Sequence, residues 1–322
     1  MATDHLEWHT PGEAPLTIFY QGVWSSQTQL SKYTGPKGFK STAGDRVTCK
    51  NGIETVYKPF VGKEIDEIIL KKLDNNPQNA FAKLSVAPII HYFTNWRSNY
   101  KYGITVEAQE DQKETVDAHL VDVFSASFGQ KIDVENHRQK YELCMSKNNN
   151  NDVILFGVSR GAATTWNAIC LNKYQNVKMV ILEGVFFSIR DVLANAVPYG
   201  HDAVHALMPL LFPKYDPKGP APGNLVDEFP PDVPVIIISS LIDAVVPFTS
   251  TKKLAMALAS RKKNKVYFIQ LNYSAHPFYP LSDQRDKEKY TYGVHAIYKI
   301  HGLPHNEEHA RKGEQIAQDA LL

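Results

Sequence analysis

Short apolar runs alternate with helix-like segments along most of the chain, and this alternation constrains the fold more than any other feature. The runs are rich in Val, Ile and Phe and lack strict alternation with polar residues, which is typical of strands covered on both faces. They predict strands over 16–20, 120–125, 153–156, 177–182, 233–239 and 266–271. The chain is therefore predicted to be an α/β protein with a mostly parallel central sheet and helices on both faces.

Helix-like segments lie between several of these strands, as crossover connections require. One covers 133–147, where Asp133 is predicted to cap the helix and the Asn run 148–151 to follow it as a loop. A second begins near Ser159, and a third covers 249–263, with hydroxyl residues at its start as expected caps and basic residues at its end.

Two segments interrupt the alternation. Residues 26–118 contain a predicted hairpin, "RVTCKNGIETVYK", in which Asn51 and Gly52 suit a two-residue turn. Residues 184–232 contain an apolar helical stretch followed by a Pro/Gly-rich connector. Each is too short or too mixed to bury a core of its own. Both are interpreted as insertions in a single domain that spans residues 1–322.

The composition excludes several partners and cofactors. The chain has 35 Lys and Arg against 34 Asp and Glu, so no overall field favours nucleic acid or an anionic membrane. No apolar run approaches the roughly 20 residues that span a bilayer, and the N-terminus does not resemble a signal peptide. No glycine-rich nucleotide loop occurs, so no cofactor is expected. The three cysteines, Cys49, Cys144 and Cys170, are scattered along the chain, which favours a reducing compartment. We therefore expect a cytoplasmic protein, and leaderless export stays open.

Ser159 lies between Gly157 and Gly161 where a predicted strand passes into a helix. Glycines on either side permit a strained turn that holds the serine side chain clear of the fold, and the following helix directs its N–H groups at developing negative charge. Because the chain has 18 glycines, the pattern alone is a weak signal. A serine hydroxyl also needs a base to take its proton and a third group to orient that base.

An acid and a histidine follow in the order that this chemistry requires. Asp243 comes just after the strand predicted over 233–239, and His276 comes after the strand predicted over 266–271. The carboxyl ends of parallel strands lie at the same edge of a sheet, so Ser159, Asp243 and His276 are predicted to meet there.

With these pieces the chain resembles the α/β-hydrolase fold, over roughly residues 15–25 and 119–280. The resemblance is carried by the turn 157–161, by the acid followed by Val245, Val246 and Pro247, and by the small residues before His276. It implies an oxyanion hole formed by the backbone N–H groups of Arg160 and Val23. An alternative third strand would place the second donor near Thr94. The chain departs from the family at Gln21, where a histidine often precedes the glycine.

Other residues have a structural interpretation beside a functional one. His301, His305 and His309 recur every four residues, as do His201 and His205. This spacing is compatible with metal ligands on a helix, but a solvated polar tail for the first set and packing for the second are favoured, so no metal is expected. The side chain of Arg160 is open to two interpretations, a pair with a substrate anion or with a nearby carboxylate.

The sequence thus predicts a serine hydrolase. The apolar stretch inside 184–232 occupies the position of a lid and favours a carboxylic ester, a small molecule or a lipid, as substrate. A serine peptidase or amidase, and a catalytically inactive binding protein with the same fold, remain the alternatives.

Overall fold

The computed structural model describes residues 16–20, 47–50, 53–56, 127–147, 152–212, 214–276, 279, 283–303 and 305–322. The strand predicted over 120–125, most of the 26–118 insertion, and both Val23 and Thr94 lie outside these residues. The boundaries proposed for the single domain and its two insertions remain predictions.

A parallel sheet forms the centre of the described part of the chain. Five strands pair in the order β1, β4, β5, β6, β7, and every neighbouring pair is parallel. Their bounds are Leu16–Tyr20 (β1), Val153–Val158 (β4), Val177–Glu183 (β5), Val235–Ser240 (β6) and Val266–Leu271 (β7). The strands predicted in these places are confirmed, with ends that differ by no more than two residues.

Alternate residues of the central strands face two separate cores. Along β4, Ile154 and Phe156 belong to one buried cluster, whereas Val153 and Leu155 belong to the other. Helices cover both clusters, so every position of β4 is buried. The mostly parallel sheet with helices on both faces is therefore confirmed.

The helices within the described residues are α1 (Lys131–Lys147), α2 (Arg160–Asn172), α3 (Ile189–Ala196), α4 (His201–Leu211), α5 (Phe248–Ser260), α6 (Gln284–Ile300), α7 (Glu307–Lys312) and α8 (Glu314–Ala320). Residues of α2 and α5 pack on one face of the sheet, and residues of α6 and α8 pack on the other. No helix among the described residues is long and apolar enough to cross a membrane.

Two predicted helix caps are wrong. Helix α1 begins at Lys131, so Asp133 lies inside its first turn, where its carboxylate accepts a hydrogen bond from the Gly129 N–H. Helix α5 follows Pro247, and the hydroxyls expected to cap it donate elsewhere: Ser250 to Asp191 and Thr251 to the Val185 carbonyl. Asp133 also pairs with Arg160 of α2, so both sets of polar groups connect separate elements.

The segment after β7 is not a polar tail. Its helix α6 buries Tyr290, Val294 and Ile297 completely against the sheet. His295 is also buried, with 3% of its surface exposed. Charged residues such as Arg285, Glu288 and Lys299 are exposed on the outer face of this amphipathic helix.

The two interrupting segments differ in how much of them is described. The predicted hairpin is confirmed as β2 (Val47–Lys50) and β3 (Ile53–Val56), which pair antiparallel with Lys50 opposite Ile53. Its two turn residues lie outside the described part. Residues 184–232 contain α3, α4 and two short 3-10 turns at Pro222–Asn224 and Val226–Glu228.

Replacing Ile297 by Ala should lower the free energy of unfolding by about 2–5 kcal/mol, because a fully buried side chain leaves a cavity. Ile300 on the same helix is 58% exposed, and Ile300→Ala should change it by less than about 0.5 kcal/mol. Urea unfolding of both variants measures the difference. Equal, small losses would show that α6 is not part of the core.

Candidate active site

Ser159 occupies a strained backbone conformation between β4 and α2. Its φ is 54° and its ψ is −118°, a region that residues with a Cβ rarely adopt. The turn is fixed from both sides, because the Ser159 N–H donates to the Glu183 carbonyl at 2.7 Å and its own carbonyl accepts from Ala162 and Ala163. The nucleophile position predicted from the sequence is therefore a sharp, well-anchored turn.

Gly157 is required for this turn. A Cβ at this position would lie 2.6 Å from the Ala162 Cα and 2.6 Å from the Gly161 carbonyl oxygen, and neither backbone atom can move away cheaply. The first turn of α2 thus packs directly on the end of β4. A strand, a sharp turn with Ser159 and a helix thus follow one another, in the order that the resemblance implied.

The structure brings the three predicted side chains together in one chain of hydrogen bonds. His276 Nε2 lies 2.9 Å from Ser159 Oγ, and His276 Nδ1 lies 2.7 Å from Asp243 Oδ2. Asp243 can only accept when ionised, so Nδ1 carries the proton and Nε2 of the neutral ring accepts from the serine hydroxyl. The side chains of Asp243 and His276 are buried, with 0% and 8% of their surfaces exposed.

Asp243 is held as an ionised carboxylate. Its Oδ1 accepts hydrogen bonds from the backbone N–H groups of Val245 and Val246, both at 2.8 Å. Burial by itself would raise the pKa of this carboxyl, but the hydrogen bonds from His276, Tyr279 and the backbone outweigh that effect and hold the pKa below its ordinary value. The turn after β6 therefore places Asp243 beside His276 and keeps its carboxylate ionised.

The sequence interpretation did not identify Tyr279. This tyrosine is fully buried, and its hydroxyl donates to Asp243 Oδ2, the same oxygen that accepts from His276. Its position three residues after His276 is visible in the sequence, but spacing does not show that the side chain turns back to the acid.

Asp286 was also missed, although it fixes the loop that carries His276. This buried carboxylate in the first turn of α6 accepts from the backbone N–H groups of Asn272 and Tyr273 and from the Ser274 hydroxyl at 2.7 Å. The loop from β7 to His276 is thereby tied to the helix that covers the sheet.

Arg160 contributes differently through its backbone and its side chain. Its N–H belongs to the first turn of α2, whose N–H groups have no acceptor within the helix. Its guanidinium pairs with the Asp133 carboxylate through Nε at 2.9 Å and through Nη2. Both side chains are more than 90% buried. Of the two interpretations of this side chain, the pair with a nearby carboxylate is the one observed.

The second oxyanion donor predicted from the sequence, Val23, and its alternative, Thr94, lie outside the described residues. Tyr20, the last residue of β1, pairs with Gly157. The chain therefore leaves β1 beside the end of β4.

The histidines considered as metal ligands have other contacts. His205 Nε2 lies 2.7 Å from the Tyr215 hydroxyl, His301 Nε2 lies 3.0 Å from the Tyr267 hydroxyl, and His305 contacts Glu307. Within the described ranges no group of three or more His, Cys, Asp or Glu residues is placed to hold a metal ion.

No protein-family model matches the chain, and no curated protein matches it. Among solved structures it is similar to a Pyrococcus horikoshii acylaminoacyl peptidase, with 15% identity over 52% of this chain and 27% of that chain at a TM-score of 0.39. A puromycin-hydrolyzing peptidase of Mycobacterium tuberculosis has 17% identity over 52% of this chain and 25% of its own, with a TM-score of 0.40. A Pyrococcus furiosus esterase has 13% identity, covering 54% and 64% respectively, with a TM-score of 0.40. The chain spans about a quarter of the length of each peptidase.

Replacing Arg160 by Ala should lower the free energy of unfolding by about 3–5 kcal/mol, because the buried Asp133 carboxylate loses its partner. Arg138 is the matched control: it pairs with Glu135 and Glu142 at the surface, and Arg138→Ala should cost about 0–1 kcal/mol. Chemical denaturation of each variant gives both values.

A double variant, Arg160→Ala with Asp133→Ala, should regain part of the loss, since no buried charge is then left without a partner. A double variant less stable than Arg160→Ala alone would show that the carboxylate was not the source of the loss.

Proposed function

We propose that this protein is a serine hydrolase that cleaves a carboxylic ester through an acyl-enzyme intermediate. The observation that carries the proposal is the continuous chain of hydrogen bonds from Ser159 Oγ through the His276 ring to Asp243 Oδ2. A serine becomes a competent nucleophile when a base accepts its proton and an acid orients that base, and these distances are suited to both steps.

In the proposed reaction, Ser159 Oγ attacks the substrate carbonyl carbon while its proton passes to His276 Nε2. Asp243 stabilises the imidazolium that forms and keeps Nδ1 facing it. Collapse of the tetrahedral intermediate expels the alcohol, which takes the proton from Nε2, and leaves the acyl group on Ser159. Water then attacks the acyl-enzyme with His276 as base, which releases the acid and restores the serine.

The oxyanion of the tetrahedral intermediate needs donors on the side opposite the base. We assign one to the Arg160 N–H, because it follows the nucleophile directly and opens α2. We assign the second to Val23, and the pairing of Tyr20 with Gly157 supports a donor from the residues that follow β1.

An apolar acyl group is the best-supported substrate class. Helix α3 places Ile189 and Val192 against a buried cluster of Ala163, Phe186 and Val246, which joins the nucleophile helix to the acid turn. Residue 163 lies one helical turn beyond Ser159, and its N–H donates to the Ser159 carbonyl at 3.1 Å, so this cluster begins next to the serine. Apolar surroundings with few polar groups suit an alkyl or aromatic chain.

Helix α4 extends this apolar character. It exposes Leu207 and Leu210, with 53% and 77% of their surfaces accessible, and is followed by Phe212, whose ring lies 5.0 Å from that of Phe128. We propose that residues 184–232 act as a lid whose apolar face meets the substrate.

A fluorophosphonate probe tests the hydrolase assignment, because it reacts covalently with an activated serine. Wild-type protein should be labelled at Ser159, and Ser159→Ala should lose labelling and reduce ester turnover by about 10⁴-fold or more. Ser260→Ala, an exposed serine at the end of α5, is the control and should behave as wild type. A folded wild-type chain that is not labelled would favour the inactive binding protein.

Matched substrates separate an esterase from a peptidase. Para-nitrophenyl esters of increasing chain length and peptide anilides with the same acyl groups should be compared by kcat/KM. We expect kcat/KM to be higher for the esters of apolar acids, by more than the difference in intrinsic reactivity between an ester and an anilide. Preference for the peptide series, with labelling still at Ser159, would assign the site to a peptidase.

A further inference from the structure

We propose that Tyr279 is a positioning residue of this site, which sets how strongly His276 holds a proton by sharing the Asp243 oxygen that faces the imidazole. The proposal rests on the proposed function and concerns the same site. Tyr279 does not touch the reacting atoms; it acts through Asp243.

All acceptor positions of the Asp243 carboxylate are occupied. Oδ1 accepts two backbone N–H groups, and Oδ2 accepts His276 Nδ1 and the Tyr279 hydroxyl. An ionised carboxylate has about four acceptor sites, so the tyrosine completes the set. Because the carboxylate is fully buried, water does not compete for any of these sites.

The backbone leaves room for both donors at Gly184, directly after β5. This residue has a φ of +59°, and a Cβ added to it would lie 3.2 Å from His276 Cε1, 3.3 Å from His276 Nδ1 and 3.5 Å from the Tyr279 hydroxyl oxygen. A side chain here would crowd the His276 ring, and its Cβ would also touch the Tyr279 hydroxyl oxygen at an ordinary contact distance. The absence of one lets the histidine and the tyrosine converge on a single oxygen.

Sharing this oxygen weakens its hold on the imidazole. A donor on Oδ2 draws electron density from the atom that accepts the Nδ1 proton, and this reduces the stabilisation that the carboxylate gives to an imidazolium. Burial and the adjacent Asp243 charge raise the pKa of Tyr279 well above its ordinary value. The hydroxyl therefore remains a donor throughout the pH range in which the enzyme works.

Several elements of the described part of the chain supply ionisable or polar groups around this pair. Tyr279 and His276 come from the loop after β7, and Ser159 from the turn after β4. Glu183, at the end of β5, is a buried carboxylate whose charge acts on Tyr279. Tyr290, on α6, donates its hydroxyl to Glu183 Oε2 at 3.1 Å.

Tyr290 therefore provides a matched control for Tyr279. Both tyrosines are fully buried and both donate to a buried carboxylate, but only Tyr279 touches the acid of the proposed site. Tyr279→Phe and Tyr290→Phe each remove one hydroxyl and keep the ring, so both should fold. Circular dichroism and urea unfolding check this for each variant.

The test measures the rate constant for fluorophosphonate labelling of Ser159 between pH 5 and pH 9, a range of about four units chosen to bracket an ordinary histidine. In Tyr279→Phe, Asp243 Oδ2 no longer shares its electron density with the tyrosine hydroxyl, so it stabilises the protonated imidazole more strongly. The midpoint of the acid limb should therefore move to higher pH, by about 0.5–1 unit. Tyr290→Phe should leave this midpoint in place. An unmoved midpoint in Tyr279→Phe, or an equal shift in both variants, would overturn the proposal.

A spectroscopic measurement keeps this test independent of hydrolysis. The Nδ1 proton of His276, bonded to a buried carboxylate, gives a proton resonance far downfield. It should move further downfield in Tyr279→Phe, because the bond to Oδ2 strengthens, and should stay in place in Tyr290→Phe. A resonance unaffected by loss of the Tyr279 hydroxyl would also refute the proposal.

The two proposals fail in different ways. If the wild-type protein is never labelled, the hydrolase assignment fails, and the resonance still reports whether Tyr279 acts on His276. If the wild-type protein is labelled at Ser159 but the Tyr279→Phe profile and resonance match those of wild type, only the role of Tyr279 fails.

Discussion

Parallel pairing of β4 with β5, of β5 with β6 and of β6 with β7 is the constraint on which the candidate site depends. Parallel strands end at the same edge of a sheet, so residues that follow three different strands are delivered to one place. Ser159, Asp243 and His276 are separated by tens of residues in the chain, yet each follows a paired strand. The two buried cores hold the sheet between its helices, and thereby keep those strand ends together.

The sequence was sufficient to predict the sheet because each strand is a local pattern, and the three side chains because each follows one of those strands in chain order. A run such as 266–271 has no alternation and few polar residues, so its burial on both faces can be read directly. The turn at Ser159 is equally local: Gly157 has to lack a side chain because the helix that follows immediately packs on it. Such features involve residues within about one helical turn of each other.

The sequence was insufficient where a polar side chain bonds to a distant element. Asp133 suggested a cap, but its partner is an arginine 27 residues later. Asp286 gave no signal, because the groups that donate to it lie in a loop before its own helix and the pairing depends on how α6 docks. The segment after β7 was predicted to be a polar tail, since the apolar stripe of α6 becomes informative only when a sheet is available to cover it. These errors share one cause: the sequence does not show which distant element a side chain will meet.

The contacts of Asp286 also have a consequence for the order in which the molecule becomes complete. During synthesis from the N-terminus, the serine, the acid and the histidine all leave the ribosome before α6 does. Until that helix docks, its carboxylate does not hold the backbone of Asn272 and Tyr273, and the loop with His276 lacks its anchor. A growing chain therefore carries Ser159 and Asp243 before His276 is held in place, and the docking of α6 completes the candidate site.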